Sequence, residues 1–170
     1  MYFFVPSQLT GIQQGIQSGH AALEFALRYG RYNPDHMIWD FIEKYKTWVI
    51  LNGGTTNNKT IGTLNQIHDD LWENNIDHSL FYEPDLNDAL TAVCFICDEQ
   101  VFNRDLYPDF KDSGFDDKLS FDSRTKFRSI KYNYKLLKEE FPGYHDEWEK
   151  SIGGPKNAFL KELINGKKLA

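Results

Sequence analysis

Chemistry in this chain of 170 residues falls to a few groups that could move protons, ligate a metal or hold a phosphate. Cys94 and Cys97 have the spacing of a redox pair or half of a metal site. They lie in the apolar run 90–97, and three-residue spacing on a strand sends two side chains to opposite faces. No second pair completes a zinc site, so reduced, core-packed thiols are expected. Gly53, Gly54 and Thr55 follow an apolar run and enter a polar loop reaching Gly62, where backbone N–H groups could meet a phosphate. The wording matches neither a P-loop nor a dinucleotide fingerprint, which makes a flexible turn the default and a ligand lid the second reading. Asp69 with Asp70, and Asp85 with Asp88, are acidic pairs read as surface charge or helix stops before a cation site. His36, His68 and His78 share no metal-ligand spacing with a second ligand pair. No metal and no cofactor are therefore expected.

Those groups must be positioned by a small set of elements. Residues 2–5 read as a short strand, not a signal peptide, because no basic segment precedes them and Pro6 follows. After a loop with Ser7 or Thr10 as cap, a helix begins in which Ile12, Ile16, Leu23 and Leu27 recur at helical spacing. Beside them Gly11, Gly15, Gly19, Ala22 and Ala26 keep a stripe small. Each interior glycine costs about 1 kcal/mol against alanine, so a close neighbour is expected there, first a packed sheet and second a ligand. Asn33 and Pro34 start a second helix with Met37, Ile38, Phe41, Ile42 and Tyr45 on its apolar face. Residues 47–51 form the second strand, with Asn52-Gly53-Gly54 as the turn that ends it. Leu64, Ile67, His68, Leu71 and Trp72 make a third helix, and strands are expected over 77–82 and 90–97.

The order β, α, α, β, α, β, β implies an α/β fold: a four-stranded mixed sheet with helices on its faces over residues 1–100. Residues 101–170 read as a helical extension packed on that core, with a weak segment at 111–122 and helices over 123–141 and 155–165. Lys126, Arg128, Lys131, Lys135 and Lys138 read as a solvated helical face. No apolar run approaches the roughly 20 residues of a membrane span, and free thiols suit a cytoplasm. Charge is unequal along the chain. Residues 1–100 carry five Lys or Arg against thirteen Asp or Glu, net −8, while residues 101–170 carry fourteen against twelve, net +2. Nucleic-acid affinity comes mainly from cations that displace counterions from phosphates, and no Lys or Arg precedes Arg28.

The segment Gly15-Ile16-Gln17-Ser18-Gly19-His20-Ala21-Ala22 resembles the first helix of type 2 peptidyl-tRNA hydrolases, the archaeal and eukaryotic class, where a glutamine precedes a histidine-alanine pair. Residues 47–50 fall at that family's second strand and 64–74 at its third helix. Leu80-Phe81-Tyr82-Glu83 matches a strand ending in an acidic residue, and 90–96 the closing strand. The likeness covers about the first hundred residues. The wording Leu-Asn-Gly-Gly-Thr and Glu-Pro-Asp-Leu-Asn-Asp-Ala-Leu-Thr-Ala is also similar to uncharacterised proteins of large tailed bacteriophages.

The resemblance implies Gln17 and His20 on the helix, Glu83 in place of an aspartate, and Thr91 on the closing strand. It names His20 and Glu83 as the catalytic pair if catalysis remains, since a carboxylate can fix an imidazole that activates water. Gln13 stands where the family has lysine, and Pro84-Asp85-Leu86-Asn87-Asp88 replaces its glycine-arginine-threonine and proline-glycine-serine turn. Glutamine offers dipolar hydrogen bonds but no net charge to a phosphate. The ligand-binding set expected is Gln13, Gln17, His20, Gly53, Gly54, Thr55, Glu83, Asp85, Asn87 and Thr91. The functional expectation is a phage-type protein of this fold that binds a small, nucleotide-derived ligand, with sequestration of a host signalling molecule as its use and without efficient tRNA hydrolysis. The alternatives are an active peptidyl-tRNA hydrolase, with tRNA as partner, and a protein-binding inhibitor of a host factor. A homodimer is also considered, and a membrane partner is not.

Overall fold

The computed structural model describes residues 1–56, 62–103, 138–139 and 142–170. They form two compact units, one of Met1–Ile96 with Lys167–Ala170 and one of Cys97–Gly166. The first holds β1 (Tyr2–Pro6), α1 (Gly11–Phe25), α2 (Met37–Asp40), β2 (Val49–Gly54), α3 (Thr63–Glu73), β3 (His78–Glu83) and β4 (Ala89–Phe95). π-helical turns extend α1 over Ala26–Gly30 and α2 over Phe41–Tyr45.

The sheet is mixed, as its sequence implies, in the order β2-β1-β4-β3. β1 runs parallel to β2 and antiparallel to β4, and β3 runs antiparallel to β4. Alternation along the strands splits the core between two faces. Phe3, Val5, Ala92 and Cys94 turn to one face and pack with Ala21, Phe25, Ile38 and Phe41. Leu64, Ile67 and Leu71 are the buried side chains of α3. The edge beyond β2 is covered by the chain's own last residues: Asn52 N–H donates to the Lys168 carbonyl at 2.9 Å, and Ala170 N–H to that of Ile50 at 3.0 Å. Pairing an exposed edge in this way removes a template for aggregation.

Two expectations change. Asn52, Gly53 and Gly54 are strand residues, not a turn ending the strand. A Cβ on Gly53 would lie 2.7 Å from Leu64 Cδ1 and 3.2 Å from Phe4 Cβ, so glycine is what lets β2 continue beneath α3. The second change concerns α1, which buries Gln14, Gln17, Ser18, Ala21 and Phe25 and leaves Ile12, Ile16, Leu23 and Leu27 exposed. The glycine stripe is not packed on the sheet: a Cβ built on Gly11, Gly15 or Gly19 meets nothing within 4 Å. Polar side chains tolerate the inner face because their atoms are satisfied there. Ser18 Oγ donates to the Gln14 carbonyl at 2.8 Å and Gln14 Nε2 to that of Pro6 at 3.5 Å.

The second unit contains α4 (Glu99–Phe102), α5 (Pro142–Ser151) and α6 (Pro155–Ile164). Trp148, Ile152 and Ala158 form its apolar cluster. Asn157 Nδ2 donates to the Ile152 carbonyl at 2.7 Å and to Asp98 Oδ2 at 3.1 Å. Lys161 is buried, its Nζ donating to the Asn103 carbonyl at 2.7 Å, and burial lowers its pKa. The helix expected over 155–165 is α6, whereas the segment 111–122 and nearly all of 123–141 lie outside the described residues. Among the described residues no helix is long and apolar enough to cross a membrane.

Candidate functional site

The N-terminus of α1 is closed by a reciprocal cap. Gln13 N–H donates to Thr10 Oγ1 at 3.3 Å while Thr10 N–H donates to Gln13 Oε1 at 3.0 Å. Gln13 is thereby engaged in holding the helix start, an arrangement that satisfies two backbone donors otherwise left open. One turn on, the inner face carries Gln17. Its Nε2 donates to Glu83 Oε2 at 2.5 Å, and its Oε1 accepts from the Thr91 hydroxyl at 2.8 Å. A carboxylate oxygen accepts, which fixes which end of the amide faces Glu83. The carbonyl of Phe81, 3.2 Å from Thr91 Oγ1, is the alternative acceptor for the same proton.

Thr91 reaches Gln17 because the sheet is irregular there. Phe81 pairs with Ala92 and Tyr82 with Leu90, so Thr91 is the extra residue of a β-bulge. Regular alternation would place Thr91 opposite Ala92, which packs with α1. The bulge turns the hydroxyl to that same face, the usual effect of inserting one unpaired residue. Three residues distant in sequence, Gln17, Glu83 and Thr91, thus meet at the junction of α1, β3 and β4.

His20 lies one turn further along α1, its ring tilted against Phe81 with centroids 4.3 Å apart. Its Nδ1 is buried and has no hydrogen-bond partner. No hydrogen bond or ion pair joins His20 to Glu83 among the described residues, so the carboxylate holds an amide and leaves the imidazole without an orienting acceptor. Asp85 and Asn87 are exposed in the turn after β3, where Asn87 has φ 56°. Gly53, Gly54 and Thr55 bond to a different set. Ser7 N–H donates to the Gly54 carbonyl at 3.0 Å, Gly54 N–H to Asn52 Oδ1 at 2.7 Å, and Thr55 N–H to Thr63 Oγ1 at 2.9 Å. Donors that a phosphate would need are already occupied at these two positions.

No family model matches the chain, and no curated protein matches it.

Cys94, His36, His68 and His78 belong to the first unit, and Cys97 opens the second. Cys94 is buried, with Sγ 3.3 Å from the Ala21 carbonyl, and burial pushes its thiol up to about 12. Cys97 lies beyond β4 and is half-buried, so the strand expected over 90–97 ends two residues early, at Phe95. Among the described residues no three His, Cys, Asp or Glu form a group that could hold a metal ion. Sequence reasoning did not foresee the assembly around Tyr29. The Tyr29 hydroxyl accepts from His78 N–H at 3.2 Å and donates to the His78 carbonyl at 3.0 Å, and its ring stacks on His36.

His78 Nδ1 faces the Ile76 carbonyl at 2.7 Å, so Nδ1 carries the proton and Nε2 accepts from His68 Nδ1 at 2.9 Å. Charging His78 would put a proton on Nε2 as well, so the bond would persist only with His68 in its other tautomer, its Nδ1 accepting. Burial is the largest cause of its lowered pKa, followed by the raising bond from Ile76 and the lowering effect of His68, with Arg28 and Asp77 adding smaller opposite effects. The folded state prefers neutral His78. Its contribution to stability should be complete above the ordinary value of 6.5 and lost as pH falls through the lowered folded value. Urea unfolding from pH 8 to pH 5 should show this decline, and a His78→Gln variant should flatten it. An unchanged slope in that variant would assign the decline to other groups.

Proposed function

We propose that this chain binds a small, nucleotide-derived ligand at the junction of α1, β3 and β4 and does not hydrolyse peptidyl-tRNA efficiently. The observation that carries this reading is the engagement of Glu83 by Gln17 while His20 Nδ1 stays unpartnered. General-base hydrolysis needs an imidazole oriented and charge-stabilised by its acid. Gln17, His20, Phe81, Glu83 and Thr91 include no Lys or Arg, so a phosphate finds no opposite charge among them. A carboxylate instead accepts from the N–H groups of a nucleobase, and the half-exposed His20 and Phe81 rings offer an aromatic wall beside it. In a phage setting, which the wording of residues 51–55 and 83–92 suggests, such binding would sequester a host signalling nucleotide.

The test pairs a thermal-shift panel of nucleosides, nucleotides and cyclic dinucleotides with a peptidyl-tRNA turnover assay. A base-bearing ligand should raise Tm, and Glu83→Ala should abolish the rise. Turnover should be no faster with the wild-type chain than with His20→Ala. Salt-sensitive turnover that disappears in His20→Ala would overturn the proposal in favour of an active hydrolase. The absence of both turnover and shift would also sink it and turn attention to a protein partner.

A further inference from the structure

The outer face of α1 is apolar, and nothing among the described residues of the first unit covers it. Ile12 is 79% exposed, Ile16 50%, Leu23 65% and Leu27 58%. At 100° per residue these four fall within an arc of about 60° opposite the buried face. Their spacing along the helix is symmetric. Ile12 and Leu27 are equidistant from the point between Gly19 and His20, and so are Ile16 and Leu23. Laid antiparallel on a second copy about a two-fold axis through that point, Ile12 meets Leu27 of the other copy and Ile16 meets Leu23.

We propose that the chain forms an isologous dimer through this face, its occupant being α1 of a second copy. A two-fold interface requires a self-complementary patch, and the symmetric spacing supplies one, an isoleucine of each copy meeting a leucine of the other. Charge agrees with the antiparallel arrangement. Residues 11–23 contain no Asp, Glu, Lys or Arg, so Glu24 and Arg28, which lie beside the stripe and not on it, come level with the uncharged half of the other copy. The two Glu24 side chains stand about 13 Å apart along the axis, beyond the screening length in physiological salt. Gly11, Gly15 and Gly19, with open space where a Cβ would be, border the stripe and let the helices approach closely. Antiparallel pairing also sets the helix dipoles in opposition. With its π-helical turn the element is about 30 Å long, which with its flanking side chains reaches about 600 Å² per copy, the lower end for a stable pair. The dimer does not depend on the ligand reading, and either can fail alone.

Sedimentation equilibrium at about 100 μM should give twice the 19.9 kDa chain mass, a concentration at which even a modest interface is populated. Leu23→Asp, at an exposed position, should weaken association more than 10-fold with far-UV circular dichroism unchanged. Ile16→Cys protein mixed with Leu23→Cys protein should cross-link under mild oxidation, and neither should do so alone beyond the wild-type background from Cys94 and Cys97. A monomeric wild type, a dimer indifferent to Leu23→Asp, or equal cross-linking of each cysteine variant with itself would overturn the proposal.

Discussion

Replacing Phe95 by alanine is expected to destabilise the first unit by about 3–5 kcal/mol, the range for removing a buried aromatic ring. Phe95 is fully buried on β4, in register with Tyr2 of β1 on one side and His78 of β3 on the other. Its ring lies nearly parallel to that of Tyr2 at 5.7 Å and tilted to that of Phe4 at 6.2 Å. The cavity therefore opens where three strands meet, and two rings lose their contact with a third. Relaxation is limited because Phe4 is also fully buried. Hydrogen exchange of the β1 and β4 amides reads the loss in this unit alone. Phe102→Ala, at an exposed position, should change stability by less than about 0.5 kcal/mol. A loss below about 1 kcal/mol in Phe95→Ala would mean that these rings are not packed as described.

The sheet was legible because its strands are short runs of β-branched and aromatic residues separated by turn and cap residues: 2–5 and 77–82 each fall within one residue of a strand, whereas 47–51 stops three residues short of the end of β2. Which face of α1 turns inward was not. Periodicity divides a helix into faces, and hydrophobicity then assigns the apolar one to the core. Here Ser18 is satisfied by the helix itself, Gln14 by Pro6 and Gln17 by residues more than sixty positions away, so polarity ceased to mark the outside. The candidate site was legible as residue types only. Gln17, Glu83 and Thr91 could be named from a resemblance, but the bulge that aims Thr91 at Gln17 depends on strand register, which the local sequence of β4 does not display. The same limit hid the Tyr29 assembly, where a turn after α1 meets the start of β3.

Gln17→Leu tests whether that convergence organises the site. Leucine keeps most of the side-chain volume and removes both ends of the amide bridge. Glu83 then loses its donor, and Thr91 keeps only the Phe81 carbonyl as acceptor. A hydrogen bond to a charged group contributes about 1.5–3 kcal/mol net, and Glu83 is half-exposed, so water recovers part of that loss. The expected destabilisation is about 1–3 kcal/mol, with loss of any ligand-induced rise in Tm, because a carboxylate free to rotate no longer presents a fixed acceptor. Glu83→Gln separates geometry from charge. Its amide oxygen can still accept from Gln17 Nε2, so stability should fall less than in Gln17→Leu. A double-mutant cycle between the two should show coupling of at least about 0.5 kcal/mol, as residues in direct contact do. Additive effects would mean that Gln17 and Glu83 act independently. Retention of the ligand response in Gln17→Leu would place the binding determinants elsewhere on the chain.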